Sequence, residues 1–93
     1  MQDIDQDLCD EIIDRVCKAD ASDQPVTVGR GMLFDRWLKR ALAIRGVHQS
    51  TICLHVKHLV SGGLLRYADT DETVTVYMGE REREYPRVQL LPA

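Results

Sequence analysis

The first twenty residues carry apolar side chains at the spacing of an α-helix. These side chains recur every four residues, close to the 3.6-residue helical period, at Ile4, Leu8, Ile12 and Val16. Asp3 directly precedes this run and can cap the first turn with its carboxylate. The pattern ends near Ala19, before a polar segment that contains a proline. We therefore predict a first helix from about residue 3 to residue 19.

Two further elements are predicted in the next part of the chain. Residues 26–28 alternate as VTV, the pattern of a short strand with one buried face. Residues 32–44 then form an apolar stripe at helical spacing, with Leu33, Phe34, Trp37, Leu38, Ala41 and Leu42. Gly46 follows the stripe, and glycine readily adopts the backbone of a tight turn. This segment therefore predicts a strand, a second helix and a turn into another element.

A third helix is predicted over residues 48–61. Winding this segment at about 100° per residue places Ile52, Val56, Leu59 and Val60 on one arc. Gly62 and Gly63 end the pattern, as glycine often does at the C-terminus of a helix. The opposite arc is mostly polar, with Leu54 near its centre. The helix is therefore expected to bury one side and to expose the other.

Two short strands complete the predicted elements. Residues 64–68 and residues 73–78 are rich in strand-forming side chains, and the second segment contains the alternating run TVTVY. Residues 69–72 between them are short and polar, as in a hairpin loop. Residues 79–93 carry the charged run EREREYPR and then VQLLPA, and we predict a C-terminal tail there.

Residues 46–67, GVHQSTICLHVKHLVSGGLLRY, join a glycine turn, a polar helix start and a helix ended by two glycines. With the preceding helix, this order is that of a helix-turn-helix unit. Over about residues 26–78 the sequence resembles the winged helix-turn-helix transcriptional regulators of the MarR and ArsR kind. The resemblance implies a mainly α fold with a small antiparallel β-hairpin, in the order helix, strand, helix, helix, strand, strand. One domain of 93 residues would then contain a helix-turn-helix at about 32–62, a wing at about 64–78 and a tail over 79–93.

The resemblance also implies a function and an assembly. Regulators of this kind insert the second helix of the unit, here residues 48–61, into the DNA major groove, and the wing touches the backbone or the minor groove. They are usually homodimers. The first helix and the tail hold the apolar residues that remain for a subunit interface, and the tail candidates are Val88, Leu90 and Leu91.

The net charge of −3 conceals a strong separation of charge along the chain. Residues 1–29 carry eight acidic and two basic side chains, residues 30–66 one acidic and seven basic, and residues 67–93 six acidic and three basic. The three segments therefore have formal charges of −6, +6 and −3. Screening limits attraction to about 8–10 Å at physiological salt. The local charge of the middle segment thus favours a polyanionic partner, despite the acidic whole.

The candidate DNA contacts follow from the exposed arc of the third helix and from the basic residues around it. They are Arg36, Lys39, Arg40, Arg45, His48, Gln49, Ser50, Thr51, Leu54, Lys57, His58 and Arg66. Gln49 can pair with adenine through two hydrogen bonds, and Lys57 can reach a phosphate or a guanine. Thr51 can donate to a phosphate, and so can the backbone amides of the first helical turn.

Two features favour a protein partner instead. Leu54 lies at the middle of the exposed arc, where it can press on a thymine methyl group but can equally dock on a protein. Asp69, Asp71 and Glu72 in the predicted wing loop would repel phosphate. The alternative function is therefore a protein–protein interaction module, such as an adaptor, an assembly factor or a phage-type inhibitor of a host complex, that uses the same exposed helix.

Other sites are not expected. Three cysteines without a CxxC pair indicate neither a disulfide framework nor a structural zinc site, and Cys9 and Cys17 are predicted to be small core residues. A metal ion shared between subunits through His55 and His58 stays an alternative, but we predict no metal and no cofactor. The chain has no GxSxG, P-loop or HExxH motif, so we do not expect an enzyme. It also has no membrane-length apolar run and no basic leader, which favours the cytoplasm.

Overall fold

The computed structural model describes residues 3–30 and 34–93, apart from the side chain of Asp35. In chain order, its elements are α1 (Gln6–Ala21), β1 (Val26–Gly29), α2 (Phe34–Leu42), α3 (Gln49–Ser61), β2 (Leu65–Met78) and β3 (Arg81–Pro92). This order confirms the predicted succession of helix, strand, helix, helix, strand, strand. The arrangement is winged-helix-like.

The three strands form one antiparallel sheet in the spatial order β1-β3-β2. The last strand of the chain is therefore the central one. Val88 of β3 pairs with Val28 of β1 on one side and with Asp69 of β2 on the other. Val88 and Leu90 are buried, and side chains alternate along a strand, so these two residues and their β1 partners Val28 and Val26 share the face of the sheet that packs against the core.

The core lies between that face of the sheet and the three helices. It contains Leu8, Ile12 and Val16 of α1, Leu38 and Leu42 of α2, Ile52, Val56 and Leu59 of α3, and Leu65, Val88 and Leu90 of the sheet. Each helix contributes one apolar side, and the sheet closes the remaining open side. No helix within the described residues has both the length and the apolar character needed to cross a bilayer.

The predicted hairpin loop at residues 69–72 and the predicted tail at residues 79–93 are both wrong. Residues 69–72 lie inside β2, where the register against β3 shifts between Asp69 and Thr73, as at a β-bulge. The turn of the hairpin is at Gly79 and Glu80, and Gly79 has a φ of +67°, which favours glycine. The segment expected to be a tail is β3, and two of its proposed interface residues, Val88 and Leu90, are fully buried in the core.

The helix boundaries differ from the predicted ones for local reasons. Helix α1 is capped by Asp5 rather than Asp3, and the Asp5 carboxylate accepts from the amides of Asp7 and Leu8. The predicted start of the second helix at residue 32 lies outside the described residues. Helix α2 ends at Leu42 instead of Ile44, because Ala43 takes a left-handed backbone with φ +55°.

Cysteine burial on α1 is only partly as predicted. Cys9 is buried, but Cys17 is exposed. At about 100° per residue, Cys17 lies about 180° from Leu8, whereas the buried residues of α1 occupy an arc of about 100°. Cys17 therefore belongs to the solvent side of the helix, and only Cys9 is a core residue.

Candidate functional site

The end of α2, the following turn and the start of α3 surround a shallow depression with basic walls. It is lined by Arg36, Lys39, Arg40, Ala43, Ile44, Arg45 and Gln49. We call this the α2–α3 depression. Five residues of the sequence-derived candidate set thus come together here. The structure therefore brings the basic side of α2 beside the first residue of the predicted recognition helix.

Packing on the other side of α2 explains why these basic residues share one surface. Leu38 and Leu42 are buried in the core, which turns Arg36 and Arg40 outward. The left-handed residue Ala43 then reverses the chain, and Ile44 returns to the core at 2% exposure. Gly46, with φ +79°, completes the turn as predicted. Anchoring by Ile44 leaves Arg45 exposed at the rim.

The start of α3 is held by a histidine cap. His48 precedes the helix, and its Nδ1 atom accepts from the backbone amide of Ser50 at 3.1 Å and lies 2.7 Å from the Ser50 hydroxyl. The amides of Thr51 and Ile52 donate to the backbone oxygen of His48. The expectation that amides of this first turn are available for a phosphate is therefore wrong for Ser50, Thr51 and Ile52, since each already has an acceptor.

The outer side of α3 matches the predicted exposed arc except at Leu54, which was expected at its centre. Lys57 and His58 are exposed, whereas Leu54 and Thr51 are half-buried. The opposite side is buried and includes Ile52, Cys53, His55, Val56 and Leu59. Helix α3 therefore offers a mixed surface, with one partly covered leucine between polar and basic residues.

His55 is a structural residue of the core. Its ring is 1% exposed, Nδ1 lies 2.7 Å from the Thr51 backbone oxygen, and Nε2 accepts from the Asp5 amide at 3.0 Å. The neutral tautomer with the proton on Nδ1 satisfies both contacts. Because both ring nitrogens are engaged, this histidine has no lone pair to offer, which argues against the alternative of a metal ion shared through His55 and His58. Its bond to Asp5 instead ties α3 to the start of α1.

The β2–β3 hairpin contributes basic residues that the sequence analysis missed. Arg81, Arg83 and Arg87 lie at alternate positions of β3 and so share one face, whereas Glu82 and Glu84 lie on the other. We call these the basic face and the acidic face of the hairpin. The alternation of arginine and glutamate in EREREYPR is the sequence signal for this separation, because a strand sorts such a run by face.

Trp37 connects the basic face to α2. Its ring packs edge-on against Tyr85, with centroids 5.9 Å apart. Gly29 makes this approach possible, since a Cβ atom there would lie 2.3 Å from the Trp37 ring and 2.4 Å from Val74. Gly29 pairs with Arg87 in the sheet, so the ring lies on the basic face.

Arg40 belongs to both surfaces. It lines the α2–α3 depression, and it also lines a second depression whose walls include Trp37, Val74 and Arg87. Arg40 of α2 and Arg87 of β3 therefore share one depression, and Arg83 and Arg81 follow on the same face of β3 beyond Tyr85. Arg66 is exposed on the same face of the sheet, because it pairs with Leu91 of β3, but it lies at the opposite end of the hairpin.

The acidic residues near the bulge are arranged so that they weaken this basic surface only in part. Glu72 lies 3.6 Å from Arg87, both side chains being well exposed, which makes the ion pair weak. Asp69 pairs with Val88 and therefore lies on the other face of the sheet from Arg87. The remaining ion pairs among the described side chains, Glu11–Arg15 and Asp14–Lys18, are confined to α1.

Cys9 has the environment of a structural cysteine. Burial raises the pKa of its thiol, and the nearby carboxylates of Asp10 and Asp5 raise it further. The thiol therefore stays protonated, which makes it a poor nucleophile and a poor metal ligand. Among the described residues, no group of three or more histidine, cysteine or acidic side chains is arranged to hold a metal ion.

No protein-family model, curated protein or solved structure matches this chain. The resemblance to MarR- and ArsR-type regulators therefore rests on the local sequence pattern and on the winged-helix-like topology.

Proposed function

We propose that this protein binds double-stranded DNA and acts as a small transcriptional regulator of the winged helix-turn-helix kind. The observation that supports this most directly is the basic surface of the α2–α3 depression, which Arg40 connects with Arg87 on the basic face of the hairpin. A folded protein with net charge −3 has no general attraction for nucleic acid, so a patch of this kind is the feature that a polyphosphate partner requires.

In this proposal the surface has two parts with different tasks. Arg36, Lys39, Arg40 and Arg45 bind phosphates beside the groove that α3 enters, and they fix the register of the protein on the duplex. Gln49 and Lys57 of α3 read base edges, and the methyl groups of Leu54 contact thymine. Arg83 and Arg81, on the opposite face of β3 from Glu82 and Glu84, extend the phosphate contacts along the hairpin.

Salt dependence is the sharpest test of this proposal. If about five phosphates are contacted, the logarithm of the binding constant should fall with the logarithm of salt concentration at a slope of roughly −4.5. The measurement is fluorescence anisotropy of a labelled duplex of random sequence, repeated at several salt concentrations. Absence of binding at low salt would overturn the proposal.

A pair of variants with matched charge locates the contact surface. Lys39→Gln combined with Arg40→Gln removes two positive charges from the proposed surface, so the slope should become less steep by roughly 2. Lys18→Glu changes the net charge by the same amount on α1, where Lys18 forms only an exposed ion pair with Asp14. This control should retain the slope of the unmodified protein. Equal effects of both changes would show that net charge alone governs binding.

Leu54→Asp should damage both DNA binding and docking on a protein, so its comparison with the double glutamine variant separates the two. On DNA it places a carboxylate in the groove, and binding should weaken at every salt concentration. Loss of cellular activity in Leu54→Asp, with full activity in the double glutamine variant, would favour the protein–protein interaction module instead. Enrichment of an inverted repeat from fragmented genomic DNA would support a homodimeric regulator.

A further inference from the structure

The distal half of the hairpin, which we call the distal arm, consists of residues 73–86 and has two different edges. β2 pairs only with β3 within the described sheet, so residues 73–78 form one edge of the arm. β1 covers β3 only from residue 87 onward, so residues 81–85 form the other edge. Strand edges present backbone donors and acceptors that can pair with another chain.

Only one of these edges is protected by charge. The β3 edge carries the alternating charges of Arg81, Glu82, Arg83 and Glu84. The β2 edge, TVTVYM, carries no charge, no proline and no glycine, and its residues have high strand propensity. Natural proteins place charged residues or proline on strand edges to prevent pairing, so the β2 edge is the unprotected one.

The backbone of the β2 edge is oriented for pairing. The Pro86 carbonyl accepts from the Arg30 amide at 2.8 Å, so it points away from β2. Thr73 is opposite Pro86, and in a pair of this type its amide and carbonyl also point away from the partner strand. By alternation, the same holds for Thr75 and Tyr77. Three residues therefore direct their backbone groups out of the sheet edge.

We propose that this edge pairs with the same edge of a second copy of the chain, antiparallel, with Thr75 on the two-fold axis. In this register Thr75 faces Thr75 of the other copy, and Thr73 faces Tyr77. All three outward-pointing residues then bond across the axis. On the basic face, Val74 of each copy lies opposite Val76 of the other. The two hairpins thus form one continuous sheet.

The charges of the distal arm favour pairing of two copies through their β2 edges and oppose pairing through their β3 edges. If two β3 edges pair antiparallel about Glu84, two glutamates lie opposite each other. If they pair about Arg83, two arginines lie opposite each other. Like charges placed opposite each other on neighbouring strands are destabilising. Self-pairing of β2 meets no such repulsion within residues 73–77. It also covers part of Tyr77, a large side chain that is 71% exposed.

Pairing of five residues from each chain is a small contact compared with a stable interface of about 1,600 Å². The association should therefore be weak and reversible. It differs from the interface expected from the sequence, since Val88 and Leu90 of the predicted tail are in the core. It does not depend on nucleic acid, and it can be measured on the protein alone.

Sedimentation velocity of the whole protein from about 1 µM to about 1 mM covers the expected range of affinity. The mean mass should rise with concentration and level off at twice the mass of one chain. In NMR spectra over the same range, the amides of Thr73, Thr75 and Tyr77 should shift and should become protected from exchange. A monomer at every concentration would overturn the proposal, and so would growth beyond two copies, which indicates open pairing between unlike edges.

A matched pair of substitutions tests the register. Thr75→Lys places like charges on the two-fold axis and should lower the association constant at least tenfold. Glu84→Gln changes the net charge by the same amount on the residue that faces Thr75 within the hairpin, and it should leave the association unchanged or slightly stronger. A dimer that persists in Thr75→Lys contradicts this interface. Both variants keep the core intact, so circular dichroism should show the same fold.

Discussion

The two halves of the β2–β3 hairpin form one ladder, but different interactions hold them. In the half beside the helices, Leu65, Val88 and Leu90 are at most 2% exposed. In the distal arm, Tyr77 is 71% exposed, and Val74, Val76 and Met78 are only half-buried. The first half is fixed by burial of one sheet face. The distal arm is held by its ladder, by the turn at Gly79 and by the packing of Trp37 on Gly29 and Tyr85.

This difference shows where the sequence is constrained by the core and where it is available for binding. A strand with one buried face must keep apolar residues at alternate positions. The distal arm buries neither face of β3 in the core, so it does not need alternating apolar residues there. Arginine can therefore occupy one face of β3 and glutamate the other without loss of packing. The part of the fold least tied to the core is therefore the part with the strongest separation of charge.

The largest expected loss of stability comes from truncating a core side chain in the half of the hairpin beside the helices. Leu90→Ala removes a fully buried side chain and should lower the free energy of unfolding by about 3 kcal/mol. Val76→Ala, in the distal arm, should cost less than about 1 kcal/mol, because its partner Arg83 is exposed. Urea denaturation followed by circular dichroism measures both. Equal costs would mean that the arm is as firmly packed as the core half.

The same difference explains how much of the fold could be predicted from the sequence. The buried sides of α1 and α3 follow a strict helical period, so the sequence predicts them well, with Cys17 as an exception. The bulge at residues 69–72 was missed, because a short polar run has the composition of a loop. Asp69 and Thr73 pair with β3 on either side of residues 70–72 and so keep that run within β2, and local sequence does not encode this partner.

β3 shows more clearly where prediction from the sequence pattern fails. Its first half is charged on both faces, so no hydrophobic period marks it as a strand, and its burial begins only at Val88. For the candidate site, the basic residues of α2 and the exposed arc of α3 were predictable from charge and helical spacing. Arg81, Arg83 and Arg87 were not included, because their common face exists only once the segment is a strand.

A smaller effect is expected at the junction between the two halves. Gly29→Ala places a Cβ atom against the Trp37 ring and Val74 and should destabilise the protein by about 2 kcal/mol. Gly62→Ala is the control, since a Cβ atom there meets no atom closer than 3.4 Å, and the change should be neutral or slightly stabilising. Thermal unfolding compares the two. If Gly29→Ala costs no more than Gly62→Ala, the arm does not depend on this close approach.

The smallest expected effect is the edge-to-face contact between Trp37 and Tyr85. A double-mutant cycle with Trp37→Leu and Tyr85→Leu isolates their interaction from the area that each ring buries. We expect a coupling energy of about 1 kcal/mol from urea denaturation, as for other aromatic pairs of this geometry.

Hydrogen exchange then decides which half of the hairpin this contact supports. In Tyr85→Leu, the amides of Val76 and Arg83 should exchange faster, because loss of the ring contact frees the arm to open locally. The amide of Leu90 should keep its protection relative to global unfolding, since its side chain lies in the core. Equal acceleration in both halves would mean that the hairpin opens as one unit. The difference in side-chain burial would then have no counterpart in the dynamics of the ladder.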